Sequence, residues 1–285
     1  MRIAVASGKG GTGKTLVSTN LSFLLSDREQ RVTYVDADVE APNGHLFLAP
    51  EGLTATPATV QMPVLVNDHC AGHGRCQEIC AFNAIIAAKG SIIVFDELCH
   101  SCGACVLACP EGSLVEKPRM VGEVLTGTAG TIRYVAGRLN VGEARSVPLI
   151  TEVLARTTGY EDDIVVIDAP PGVACSAVAA VTGADLALLV AEPTPFGRHD
   201  LALTIEMCRA VGVETAAIIN RADLGDRGVT ELLEAAAVPI LAQIPFDRHI
   251  AEVYAAGRPA LSESDDLAHA LGLVARHLDN IRSGS

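Results

Sequence analysis

The chain opens with a short apolar run, Arg2–Ala6, that stops at Ser7-Gly8-Lys9-Gly10-Gly11-Thr12-Gly13-Lys14-Thr15. From Gly8 to Thr15 this is G-x-x-x-x-G-K-[ST], and the pattern constrains the fold closely. A strand must deliver the loop and a helix must leave it, here over about 14–25. The glycines turn backbone N–H groups inward on phosphate oxygens, and the helix end aims its positive dipole at the same anion. Lys14 is placed to reach the β- and γ-phosphates and Thr15 to offer its hydroxyl to Mg²⁺. Further apolar runs at 164–167, 185–190, 214–219 and 240–244 alternate with helical stretches, which predicts an α/β chain with a doubly wound, mostly parallel sheet. Hydrophobic residues make up 49% of the chain but aromatics only 4%, with no Trp, so the core must be Ala, Val, Leu and Ile. Such a core suits a sheet covered by helices.

A second pattern interrupts the alternation. Residues 99–110 read CHSCGACVLACP, so Cys99, Cys102, Cys105, Cys109 and Pro110 fill C-x2-C-x2-C-x3-C-P, the pattern of bacterial ferredoxins. Residues 70–81, CAGHGRCQEICA, repeat it at a period of 29 with two departures. Cys70, Cys76 and Cys80 hold the first, third and fourth positions, while His73 stands in the second and Ala81 replaces the proline. Resemblance to a two-cluster ferredoxin implies that the fourth cysteine of each run serves the other cluster. One 4Fe-4S cluster would then use Cys80, Cys99, Cys102 and Cys105, and a second set would be Cys70, His73, Cys76 and Cys109. Imidazole is a competent iron ligand. Three states are open to the second set: a 4Fe-4S cluster with one histidine ligand, a 3Fe-4S cluster or one with an easily lost iron, or no cluster.

Other motifs fall in a fixed order around these. Lys9 directly follows the first glycine, giving KGGTGKT; DADVEAPN carries Asp36 and Asp38; IVVIDAPPG ends a strand at Asp168. AAIINRAD ends another at Asn220 and Arg221, and IPFDRHIAEVYAAGRPA includes Pro245 and Phe246. In these motifs the chain resembles the MinD/ParA class of P-loop ATPases with a deviant Walker A loop, carrying an inserted ferredoxin-like α+β domain. The resemblance implies ATP and Mg²⁺ as ligands, bound by the loop residues Gly8 to Thr15. Lys9 would reach across an ATP-dependent homodimer to the partner's nucleotide. Asp38 would place the attacking water, and Thr15, Asp36 and Asp168 would hold Mg²⁺. Asn220, Arg221, Pro245 and Phe246 would surround the base.

The expected organisation is a first ATPase part (1–60), the iron–sulfur insert (61–117) and a second ATPase part (118–285), with 51–63 a polar exit linker and 119–137 paired strands. Net charge is −13, which excludes sequence-independent nucleic-acid binding. No apolar run reaches transmembrane length, no signal peptide precedes the first strand, and seven of nine cysteines stand in metal spacing, so a reducing cytoplasm is expected. Cys208 reads as a buried small residue. For Cys175, seven residues after Asp168, two readings stand: a packed helix-start residue, or a metal or redox contact paired across a dimer. The expected function is ATP-gated electron transfer to a redox partner. Two alternatives remain, a carrier delivering clusters to client proteins and a regulatory ATPase with a sensing or structural cluster. No glutamine-amidotransferase segment is present, so cobyrinic acid a,c-diamide synthesis is not expected.

Overall fold

A computed structural model of the chain describes residues 1–66, 70–88, 90–159 and 164–284. In chain order the elements are β1 (Arg2–Ala6), α1 (Lys14–Asp27), β2 (Val32–Asp36), α2 (His45–Leu48), β3 (Glu51–Leu65), α3 (Arg75–Glu78), β4 (Ile85–Ala88), β5 (Ser91–Val94), α4 (Ala104–Leu107), β6 (Leu114–Ala129) and β7 (Ile132–Leu139). They continue with α5 (Ser146–Ala155), β8 (Ile164–Asp168), α6 (Cys175–Val181), β9 (Leu186–Ala191), α7 (Pro195–Ala210), β10 (Thr215–Asn220), α8 (Gly228–Ala235), β11 (Ile240–Ile244), α9 (Arg248–Ala255) and α10 (Asp265–Ser283).

Nine strands form one sheet in the order β11-β10-β9-β1-β8-β2-β7-β6-β3. Every pairing from β11 to β7 is parallel, and the order reverses about β1, as a doubly wound sheet requires. The central strands are apolar on both faces because helices cover both: β8, β9 and β2 are buried at every position. The amphipathic α10 places Leu267, Leu271, Val274 and Leu278 in this core, so the last helix is a packed one. Two aromatics depart from the aliphatic core the composition predicts. Tyr34 and Tyr134 are fully buried and stacked, with ring centroids 6.0 Å apart.

Residues 51–63 are not a linker. They lie in β3, where Ala58, Val60 and Met62 are buried at alternate positions among β-branched Thr and Val. Pro57 is tolerated there because β3 ends the strand order and its missing N–H breaks no ladder on the open side. The expected strand pair near 119–137 is β6 and β7, joined through Gly130 and Thr131, although β6 begins earlier, at Leu114.

The chain divides into two compact units, 1–56 with 124–138 and 150–285, and 57–123 with 139–149. The second unit holds the β4–β5 hairpin and both cysteine runs around a small core of Cys76, Ile85 and Leu114. No helix of the described residues is long and apolar enough to cross a membrane.

Candidate functional site

In the first unit β1 ends at Ala6 and the loop that follows turns through Gly13 at φ +100° into α1. Gly13 is required twice over. Its φ favours glycine, and a Cβ would lie 2.5 Å from the amide nitrogen of Asn220. The loop borders a cavity of about 300 Å³, a size suited to a small ligand. Gly10, Gly11, Gly13, Lys14, Thr15, Asp38, Asn220, Arg221, Pro245 and Phe246 all line it, so most of the predicted nucleotide residues are brought together.

Five predicted residues do not line the cavity. Gly8 abuts Asp200 of α7. Thr12 is buried with an unpartnered hydroxyl. Lys9 is drawn to Glu192 at 3.1 Å, and the same carboxylate binds Arg221. Asp36, expected to hold Mg²⁺, spends its oxygens on its own loop. It accepts N–H from Asn43 (3.0 Å) and Gly44 (2.8 Å) on Oδ2 and from Asp38 (3.3 Å) on Oδ1. Asp168 lies behind the cleft at the end of β8, 1% exposed. Asn220, expected to read a base, donates instead to the Thr12 carbonyl at 2.8 Å and accepts from the Arg221 N–H at 3.0 Å.

The electrostatics are those of a cation site. Burial pushes the Asp168 carboxyl up, against the Thr15 hydroxyl and the Lys14 ammonium, which pull it down. Burial and then Asp168 raise Asp36. Asp38 is pushed to about 6, mainly by burial and by Asp168, with Lys14 opposing. Burial lowers Lys14 despite both neighbouring carboxylates. Three crowded carboxylates, one of them with a buried unpartnered oxygen (Asp168 Oδ1), fit a divalent cation that takes oxygen ligands.

Sequence reading missed several residues here. Asn43 takes the Thr15 hydroxyl at 3.1 Å and lines the cavity. Its only signal was its place in the Asp36–Asp38 segment. Tyr254 of α9 also lines the cavity and stacks on Phe47 at 4.3 Å, a contact no motif announces. Glu192 follows β9 with no local mark of its bridging position.

In the second unit the cysteines border two small cavities. Cys80, Cys99, Cys102 and Cys105 line one; Cys70, His73, Cys76 and Cys109 line the other. Among the described residues no group of three or more His, Cys, Asp or Glu closes on a point where a single metal ion would sit. A polynuclear cluster places different demands on its ligands, since each binds a different iron. Backbone N–H groups point at the sulfurs: Ala84 to Cys80 Sγ at 3.3 Å and Ser101 to Cys99 Sγ at 3.5 Å. Burial raises the Cys109 thiol, but the backbone N–H groups of Leu114, Ser113, Glu111 and Gly112 together carry it below its usual range. Burial pushes Cys105 up to about 11 and raises Cys76 as well. Backbone N–H groups thus favour thiolate at Cys109, whereas burial opposes it at Cys105 and Cys76.

Two residues around the cysteines were not read from the sequence. Glu111 Oε1 lies 3.3 Å from His73 Nδ1. Arg145, from the 139–149 segment, donates to the Cys99 carbonyl and to Met62 Sδ, both at 3.2 Å, while Glu143 fixes its guanidinium at 2.7 Å. Cys208 is fully buried in α7. Cys175, the first residue of α6, is exposed rather than packed.

The family model of the CobQ/CobB/MinD/ParA nucleotide binding domain matches residues 3–260. An uncharacterized protein of Methanocaldococcus jannaschii is 31% identical over 90% of this chain and 88% of its own length. The iron-sulfur cluster carrier protein of Aquifex aeolicus is 22% identical over 98% of this chain and 67% of its own. Among solved structures, the septum site-determining protein MinD of Pyrococcus horikoshii, in complex with Mg-ADP, is similar in fold. Its TM-score is 0.62 at 22% identity, covering 99% of this chain and 96% of that one. With its phosphate loop, doubly wound sheet and a family match over most of its length, the chain belongs to the CobQ/CobB/MinD/ParA nucleotide-binding family.

Proposed function

We propose that the protein is a Mg²⁺-dependent ATPase, active as an ATP-bound homodimer, that couples hydrolysis to electron transfer from iron–sulfur clusters in its second unit. The observation that carries the ATPase reading is the cleft itself, where Lys14, Thr15 and Asp38 converge around a ligand-sized volume. Thr15 and Asp168 would hold Mg²⁺, which would supply positive charge to offset that of the phosphates. Lys14 binds the β- and γ-phosphate oxygens. Asp38 orients the attacking water in line with the γ-phosphate and takes its proton, for which a carboxylate titrating near 6 is well matched. The loop glycines fix the phosphates through backbone N–H groups. Lys9 leaves Glu192 to reach the partner's nucleotide and adds positive charge as the transition state forms. Asp36 shapes the segment from Asp38 to Gly44.

The cluster reading rests on the division of eight spaced ligand positions, four and four, between two cavities. Cys80, Cys99, Cys102 and Cys105 would hold a 4Fe-4S cluster, and Cys70, His73, Cys76 and Cys109 a second cluster, 4Fe-4S or 3Fe-4S. The clusters supply one-electron redox chemistry when bound. A second reading, delivery of clusters to client proteins, is favoured by the similarity to the Aquifex carrier and by the half-exposed His73.

Anaerobic EPR with iron and sulfide analysis, with and without MgATP, tests the proposal. Reversibly reducible clusters whose signals shift with MgATP support gated electron transfer. Cluster transfer to an apo-acceptor, without reversible cycling, replaces it with the delivery reading. Protein reconstituted anaerobically with iron and sulfide that holds no cluster overturns both.

A further inference from the structure

The nucleotide unit contains a buried phenol that the mechanism above does not use. Tyr34 lies in the middle of β2, in register with Val166 of β8 and Tyr134 of β7. Val166 beside it is apolar, and Phe would fill nearly the same volume. A buried phenol normally has a partner for its hydroxyl, because leaving it unpaired away from water is destabilising. The Tyr34 hydroxyl donates to Asp168 Oδ2 at 3.1 Å. The other oxygen of that carboxylate, Oδ1, is buried and unpartnered. On its far side the phenol is closed in by Gly44: a Cβ there would lie 2.4 Å from the Tyr34 oxygen and 2.6 Å from Cε1. Gly44 in turn donates its N–H to Asp36.

We propose that Tyr34 is the positioning residue of the Mg²⁺ site: wedged between Gly44 and Asp168, its hydroxyl pins one carboxylate oxygen and so leaves the other for the ion or the ion's water. The inference rests on the reading of the cleft as a MgATP site. Asp168 ends its strand, and while the Thr15 and Ser18 hydroxyls also act on its carboxyl, the phenol is held against it at 3.1 Å. The Tyr134 stack keeps the phenol from rotating away. The same wedge ties the carboxylate to the loop that carries Asp38 and Asn43, so cation and loop geometry are set together.

Calorimetric titration of the full chain with AMP-PNP, in EDTA and in MgCl₂, tests this without reference to turnover. In the unaltered protein Mg²⁺ should strengthen binding. In Tyr34→Phe, binding in EDTA should be unchanged while the Mg²⁺ concentration for half-saturation rises about tenfold, the scale of losing an outer partner of a metal ligand. Gly44→Ala, which forces the phenol aside, should give the same loss, and the double variant no more than either alone. Full Mg²⁺ enhancement in a folded Tyr34→Phe overturns the role of Tyr34 and leaves the MgATP reading standing. No Mg²⁺ enhancement in the unaltered protein overturns both.

Discussion

The two units build their sites in opposite ways. The nucleotide cleft gathers residues from Gly10 to Tyr254, presented by the ends of several strands over a core of some thirty buried side chains, of which Leu16 and Ile250 border the cavity. The cysteine unit draws all eight candidate ligands from positions 70–109; among the described residues Cys80, Cys105 and Cys109 pack against a cluster of Cys76, Ile85 and Leu114, and the same unit buries Val60, Met62, Val121 and Leu149. In the first the site is an attachment to a fold that stands without it. In the second the ligands are part of the interior. A small domain gains little from hydrophobic burial alone, and a bound inorganic group is a usual supplement.

The largest effects should therefore separate cleanly. Cys99→Ser, which removes a buried thiol, should abolish iron binding at the all-cysteine set. It should also expose 57–123 to limited proteolysis, while ATP binding remains within twofold. Lys14→Ala should weaken ATP binding about 100-fold, the roughly 3 kcal/mol of one strong charged contact, with iron content unchanged. Iron analysis, proteolysis and calorimetry on both variants check the contrast. If Cys99→Ser leaves the proteolysis pattern intact, the cysteines are not an interior support of this unit.

A smaller effect sharpens the account of the cleft. The Asp38 carboxyl titrates near 6, above its unfolded value, because burial and Asp168 oppose its charge. The folded state thus binds this proton more tightly than the unfolded one. The resulting stabilisation is full below about pH 4 and is lost as pH rises to about 6. Two outcomes follow for Asp38→Asn. Ligand-free protein at pH 7 should be more stable by on the order of 1 kcal/mol, after allowance for solvent screening of a half-buried group. Hydrolysis should fall to near zero. In the unaltered protein kcat/KM should decline as pH drops through 6. Thermal unfolding at pH 5 and pH 7, together with the pH profile of kcat/KM, measures both.

What could be read from the sequence divides along the same line. Gly8 to Thr15 and the cysteine runs are local patterns, and local patterns name their residues directly. The strand positions were legible because apolar runs in a parallel sheet are continuous. Residues 51–63 misled because Pro57 and the threonines resemble a linker until the strand is known to lie at an edge. Asp36 was legible only in part: the resemblance implies a Mg²⁺ ligand, while the fold adds three backbone N–H groups that its oxygens accept. Glu192, Tyr254 and the reach of Arg145 to Cys99 and Met62 were invisible because these partners lie tens of residues away or more.

The finest distinction between the units concerns His73. In the cleft the protein orients a carboxylate with a phenol; in the second cysteine set it sets a carboxylate against an imidazole, Glu111 Oε1 to His73 Nδ1 at 3.3 Å. A histidine whose Nδ1–H is held by a carboxylate presents Nε2, in the tautomer a metal needs. Glu111 is itself steadied by the N–H of Ala71 at 3.4 Å, next to Cys70. Glu111→Gln should then speed iron loss from the His73 set about tenfold and leave the all-cysteine set alone. His73→Cys should slow that loss below the level of the unaltered protein, since thiolate needs no orienting partner. Iron release to a chelator, followed alongside EPR, resolves the two sets. Equal rates in Glu111→Gln and the unaltered protein would mean that His73 is an ordinary surface residue ion-paired to its neighbour, and that the second set holds its iron, if any, through three cysteines.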